Sequence, residues 1–148
     1  MFKLYSKGCE YALRALTYAA SQGENRRFQA KEVCEKTDIP ESFTRKVFQA
    51  LTQGGFLRAV RGPGGGYEMI RPADKITLLD VIEAVEGRDT FDHCVLGFLT
   101  CDSKRPCPLH ETWLRAKVQL LGQLEHRTLQ DLADTTVRKK HRSFLSTE

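Results

Sequence analysis

Residues 56–70, FLRAVRGPGGGYEMI, constrain the fold more than any other part of the chain. Phe56-Leu57-Arg58-Ala59-Val60 has the composition of a strand, and Tyr67-Glu68-Met69-Ile70 can pair with it. Between them lies Arg61-Gly62-Pro63-Gly64-Gly65-Gly66, which reads as a flexible hairpin loop with a cation at its base. What precedes the hairpin is helical. Residues 4–21 carry Tyr11, Ala12, Ala15, Leu16 and Ala19 as a helix-spaced stripe, and residues 29–36 place Ala30, Val33 and Cys34 on one face. Thr37-Asp38 breaks that pattern, and Ile39 is placed to plug the core between two helices. A third helix starts at Pro40-Glu41-Ser42, runs to about residue 52 and ends at Gly54-Gly55. Its apolar positions Phe43, Val47, Phe48 and Leu51 recur at intervals of three and four. Two short helices joined by a tight turn form a helix-turn-helix, and a hairpin directly after the second is a wing.

This order of elements points to DNA. Ser42, Arg45, Lys46 and Gln49 share the polar face of the third helix, and arginine and glutamine can pair bidentately with base edges in a major groove. A glycine-rich wing lets backbone approach phosphates, and Arg61 can enter a narrow minor groove. Charge is distributed to match. Residues 1–75 hold 13 Lys/Arg against 8 Asp/Glu, a net of +5, whereas residues 76–148 hold 10 against 11, a net of −1, which sums to the chain's +4.

Downstream, residues 76–87 form an amphipathic helix through Leu79, Val81, Ile82 and Val85. Residues 109–127 form a long one through Trp113, Leu114, Ala116, Val118, Leu120, Leu121 and Leu124. That apolar surface exceeds what one helix on a small winged domain needs, so it suits a homodimer interface, and dimers read paired half-sites. Residues 128–135 read as a short capping helix and residues 137–148 as a charged flexible tail. No apolar run approaches the roughly 18 residues of a membrane span, and the N-terminus lacks a signal-peptide pattern. The expectation is a cytoplasmic protein without membrane contact.

Between the two downstream helices, DHCVLGFLTCDSKRPCPLH (residues 92–110) gathers three of the five cysteines and two of the four histidines. Thiolates grouped on one loop bind a soft metal, form disulfides or do redox chemistry. Reducing surroundings and an odd cysteine count argue against a structural disulfide framework. Cys107 with His110 could also pair as nucleophile and base, but the chain shows no substrate pocket, phosphate loop or third orienting residue. A regulator with no small-molecule substrate is the expectation. It divides into a DNA-binding domain at 1–75 and a connecting helix, cysteine loop and dimerisation helix at 76–136.

YALRAL (residues 11–16), RGPGGGYEMIRPADKITLLDVIEAVEG (residues 61–87) and the three-cysteine loop together resemble the Rrf2 family of winged-helix regulators, some of which carry iron–sulfur clusters. The resemblance implies a homodimer crossed through the long helix. It implies contacts to double-stranded operator DNA from Pro40, Ser42, Phe43, Arg45 and Lys46, with Arg61, Gly62, Gly64, Gly65 and Tyr67 at the minor groove. It also implies cluster ligation by Cys94, Cys101 and Cys107, with His110 as fourth ligand or Glu10 in its place, reaching across the dimer. Two departures stand out. Six residues separate the first two cysteines where relatives usually have five, and Arg45 replaces a glutamate that tunes site choice in the cluster-assembly regulators. Cys9 and Cys34 read as small core residues rather than ligands. Wide cysteine spacing without a Cys-x-x-Cys knuckle favours an iron–sulfur cluster over zinc. Three cysteines with histidine favour 2Fe–2S, and a carboxylate would suit 4Fe–4S. The alternative is a cluster-free regulator using a thiol/disulfide switch, zinc or a protein partner.

Overall fold

The computed structural model describes residues 4–99 and 101–138; the expected charged tail therefore lies almost wholly outside the described residues. The elements in chain order are α1 (Lys7–Ser21), α2 (Ala30–Thr37), α3 (Glu41–Gln53), β1 (Leu57–Val60), β2 (Gly66–Met69), α4 (Leu78–Glu86), α5 (His110–His126) and α6 (Leu129–Arg138). The fold is mostly α, a winged helix-turn-helix extended by a loop and a long helix. Among the described residues no helix is long and apolar enough to cross a membrane.

Helix α1 is central, flanked by α2, α3, α4 and α6. It starts at Lys7 rather than at residue 4 because Ser6 caps it, its Oγ accepting the Cys9 N–H at 3.2 Å. Ser6 is itself tied to the end of α4, its N–H donating to Glu86 Oε1 at 2.8 Å. Asp38 ends α2 in the left-handed conformation (φ 54°). Ile39 is then buried and Pro40 caps α3. Cys9 and Cys34 are both buried in the core, as their sequence context suggests. Burial pushes the Cys9 thiol up to about 12, with the Glu86 carboxylate adding to the effect.

The wing differs from the flexible loop read in the sequence. Its two strands pair antiparallel, Leu57 opposite Met69 and Ala59 opposite Tyr67. A third segment then fastens the outer edge. Phe28 and Tyr67 exchange backbone hydrogen bonds of 3.0 and 2.8 Å, and Gln29 Nε2 donates to the Gly65 carbonyl. Arg27, Glu68 and Arg58 form an ion-paired row, with Arg27 Nε at 3.5 Å from Glu68 Oε2. The hydrogen bond from Arg58, reinforced by Arg27, holds the Glu68 carboxyl below the usual range. The loop is rich in glycine for space as well as for turning. A Cβ on Gly65 would sit 2.2 Å from the Val60 carbonyl oxygen.

After a 3-10 turn at Ala73–Lys75, a capping box opens α4: Thr77 N–H donates to Asp80 Oδ2 at 2.9 Å and Asp80 N–H to Thr77 Oγ1 at 3.0 Å. Gly87 ends the helix at φ 97°. The chain then leaves the core through the cysteine loop and comes back as α5, which packs against α4. Leu120, Leu121 and Leu124 of α5 turn toward the core, while Leu114 and Val118 face outward, Val118 at 71 % exposure. The end of α5 returns to the start of α4. Thr128 bridges Thr77, the Leu78 N–H donates to Arg127 O at 2.9 Å, and the Leu129 N–H donates to Ile76 O at 2.9 Å. The last helix is longer than the expected 128–135 segment and is a core element rather than a cap. Leu129 and Ala133, four residues apart, are both buried in its contact with α1.

Candidate functional site

Two regions carry functional side chains. The first is the outward face of α3 with the wing. Burying Val47, Phe48 and Leu51 turns the other face of the helix out, so Pro40, Ser42, Arg45, Lys46 and Gln49 are all exposed. Phe43 is half-buried because its ring packs edge-on to Tyr11 at 4.9 Å, which makes it a support for the helix start. A groove between α3 and the wing is lined by Thr44, Arg45, Phe48, Gln49, Thr52, Gln53, Ala59 and Tyr67. Gln53 extends the Arg45–Gln49 row by one further helical turn, a spacing the sequence already carried. Arg61, Gly62 and Gly64 are exposed at the wing tip, the two glycines in the left-handed region at φ 91° and 72°. Gly65 and Tyr67 behave differently from those tip residues. Gly65 is buried, and its N–H is spent on the Gly62 carbonyl at 2.9 Å, so it shapes the wing and has no amide to offer a phosphate. Tyr67 stacks on Phe48 with ring centroids 4.8 Å apart and couples the wing to α3.

The second region is the cysteine loop. Cys94, Cys101, Cys107 and His110 come from opposite ends of the loop to line one hollow of about 290 Å³, together with Phe98, Asp102, Arg105, Pro106 and Pro108. The Cys94 and Cys107 sulfurs are 3.6 Å apart, and Cys101 Sγ is 3.5 Å from His110 Nδ1. His110 is the first residue of α5 and is buried; its N–H donates to the Cys107 carbonyl at 3.1 Å, which ties the third cysteine to the helix start. The partial positive charge at that start favours nearby thiolates. Burial opposes ionisation of Cys94, but its hydrogen bonding with the Leu96 and Phe98 amides, the Cys107 sulfur and the Gly97 amide outweighs it, so the thiol sits below its ordinary range. His93 is exposed and does not line the hollow.

Glu10 sits elsewhere. It is buried on α1 and ion-paired with Arg14 at 3.1 Å and Lys7 at 3.2 Å, and it does not line the hollow of its own chain. The four groups of the hollow stand as two pairs. Among the described residues no three His, Cys, Asp or Glu side chains gather closely enough to hold a single metal ion. Three soft sulfurs and an imidazole spread around a hollow suit a polynuclear iron–sulfur group, which is larger than one ion.

Comparison with known proteins bears on the family and the fold. Residues 5–135 match the Rrf2 family, described as an iron-dependent transcriptional regulator. A protein of Aquifex aeolicus (strain VF5), named among the HTH-type transcriptional regulators, is 31% identical over 140 residues, covering 93% of this chain and 95% of that protein. The structure of CymR (YrzC), the global cysteine regulator of B. subtilis, superposes with a TM-score of 0.75 at 24% identity, over 91% of this chain and 98% of that one. IscR of T. potens superposes with a TM-score of 0.73 at 20% identity, over 95% and 93% of the two chains.

Proposed function

The chain belongs to the Rrf2 family of DNA-binding winged-helix transcriptional regulators, and we propose that it is a homodimer whose operator binding is controlled by an iron–sulfur cluster in the cysteine hollow. The observation that carries this reading is the convergence of Cys94, Cys101, Cys107 and His110 on one hollow at the foot of α5. Those four residues hold the cluster, and three thiolates with an imidazole favour the 2Fe–2S form. When bound, the cluster supplies an electron- and oxidant-sensitive centre. Glu10 is the alternative fourth ligand, reaching from the partner chain; to ligate it would exchange its pairing with Arg14 and Lys7 for iron.

The chain's own residues do the rest. Ser42, Arg45, Lys46 and Gln49 enter the major groove, Pro40 and Phe43 set the entry of α3, and Arg61 with the Gly62 and Gly64 backbone meets the minor groove. Residues 1–75 thus read DNA, while residues 76–136 sense and dimerise, with Leu114 and Val118 of α5 facing the second copy. The outward apolar row on α5 supports that assignment, because a lone chain leaves it in water. The hollow lies at the N-terminal end of the same helix. A change in what the hollow holds therefore acts on the helix that sets the spacing of the two α3 helices, and only one spacing fits successive major grooves.

The test is anaerobic purification with visible spectra and iron and sulfide assays, on the native chain and on Cys94→Ala, Cys101→Ala and Cys107→Ala, each paired with operator binding. Stoichiometric iron and sulfide, lost in the variants together with redox-dependent binding, is the expected result. The 3.6 Å approach of Cys94 and Cys107 favours one second reading, a thiol/disulfide switch. Colourless protein that loses two titratable thiols on oxidation, with Cys94 and Cys107 recovered as one linked peptide, would replace the cluster by that switch.

A further inference from the structure

The wing has two faces. Strand alternation puts Leu57, Ala59, Tyr67 and Met69 on the one turned toward the core and α3, and Arg58 and Glu68 on the other. The third segment continues that outer face. Phe28 pairs with Tyr67 and is buried, so its neighbour Arg27 stands beside Glu68. Gly66 makes the approach possible, since a Cβ there would sit 2.5 Å from the Phe28 carbonyl oxygen. The result is a row across three paired segments with the anion in the middle. Arg58 Nε donates to Glu68 Oε1 at 3.0 Å, and Arg27 Nε lies 3.5 Å from Oε2. The carboxylate is recessed and the guanidiniums are not: the Glu68 side chain is 18 % exposed, against 61 % for Arg58 and 51 % for Arg27. Ion pairs at the surface add little to stability, so holding the wing together does not account for the row. It also sits close to the tip. Arg58 is three residues before Arg61, about 10 Å along the chain, and Arg27 Nη1 lies 3.5 Å from the Gly64 carbonyl oxygen.

A minor groove is about 6 Å wide and is walled by two phosphate strands. With α3 in the neighbouring major groove and the wing tip in the minor groove, one wall lies between α3 and the wing. The other lies on the side of the wing that α3 does not cover, where two exposed guanidiniums stand over one recessed carboxylate. We propose that Arg27 and Arg58 are a further DNA-binding pair that meets the phosphates of this far strand, with Glu68 as the positioning residue that holds both guanidiniums in place. The proposal deepens the DNA reading given above and rests on it. Contacts of this kind carry no sequence information; they add affinity and fix how the wing sits.

Salt dependence reads phosphate contacts directly, and a mixed-sequence duplex long enough for both half-sites is a sufficient probe. Binding of the full-length chain to that duplex is followed by fluorescence anisotropy across a salt series. Arg27→Ala and Arg58→Ala are each expected to flatten the log–log slope by about 0.9, and the double variant by about twice that. Arg27→Lys and Arg58→Lys keep the charge and are expected to keep most of the slope. Glu68→Ala gives the sharpest readout, because its two effects have opposite signs. Removing a negative charge near DNA tightens binding, whereas releasing the two guanidiniums weakens it. Glu68→Ala is therefore expected to weaken binding in the native chain and to tighten it in the Arg27→Ala/Arg58→Ala chain, where only its charge is left to act. Thermal unfolding of each variant separates loss of the wing from loss of a contact. Slopes unchanged in both alanine variants, or a Glu68→Ala chain that binds more tightly than the native one, overturn the inference and leave the α3 and Arg61 reading standing. A native chain that does not bind the duplex at low salt overturns both.

Discussion

At the scale of single residues, the side chains that matter are held by neighbours remote in sequence. Gly65 is an example. Its missing Cβ lets the Val60 carbonyl approach, so Gly65→Ala forces the wing open or strains it by about 1–3 kcal/mol. Chemical denaturation should register that loss, and operator affinity should fall with it because Arg61 is displaced. Cys9 behaves as a buried apolar group. With its thiol pushed up to about 12, the folded protein keeps it protonated where the unfolded chain, near 9.0, ionises. Its contribution to stability is complete below pH 9 and is lost as the pH climbs toward 12. The stability difference between the native chain and Cys9→Ala, followed by denaturation from pH 8 to 11, should therefore shrink with rising pH, and a constant difference would refute it. At the DNA face, Arg45→Ala should cost about 1–3 kcal/mol of operator binding and relax preference at one base position, whereas Lys46→Ala should weaken all sequences alike. Competition assays against base-substituted operators distinguish the two. The exposed positions on α3 were legible in the sequence because burial of Val47, Phe48 and Leu51 dictates which face is left. That Gly65 and Tyr67 also tie the wing to its neighbours was not, because their partners, Gln29 and Phe48, lie 36 and 19 residues away.

At the scale of elements, the local signals carried most of the architecture. Helical periodicity located all the major helices to within a few residues, and the glycine run located the hairpin. What escaped was pairing between distant segments. Phe28 adds an edge to the wing through two backbone bonds, and nothing in the residues around it marks a strand. The last helix read as a cap because only Leu129, Leu132 and Ala133 are apolar in its first turns, yet Leu129 and Ala133 are placed against α1 by the Thr77–Thr128 bridge. Within α5 the sequence showed a surplus of apolar residues but not their split into an inner row and an outer one. That outer row makes a sharp expectation. Val118→Glu should shift the protein from dimer to monomer in sedimentation without loss of helical signal, since in the single chain Val118 touches mainly water. A dimer that survives Val118→Glu and Leu114→Glu together would remove α5 from the interface.

At the scale of the whole molecule, charge and topology act together. The basic excess of the first 75 residues is carried by the same half that bears α3 and the wing, so operator binding should weaken linearly in log–log terms with salt, with a slope near −0.9 per phosphate neutralised. Removing Arg61 should flatten the slope by about one, measurable by fluorescence anisotropy across a salt series. That Cys94, Cys101, Cys107 and His110 belong together was legible in the sequence, but their arrangement as two pairs in one hollow at the foot of α5 depends on the loop's path, which no spacing encodes. That path has another consequence. Because the segment that runs from α4 through the loop and α5 begins and ends at one bridge, with α6 folded back onto α1, the chain is topologically a closed body with an insertion whose ends coincide. A peptide bond cut in the exposed stretch between Cys101 and Cys107 would leave two fragments, each holding part of one core. They would remain associated through α1 and α6 until the core itself unfolds. The loop between α4 and α5 is the part of that insertion that can be lengthened or shortened with little disturbance to the module that reads DNA, because Val81 and Ile82 of α4 are buried in the core.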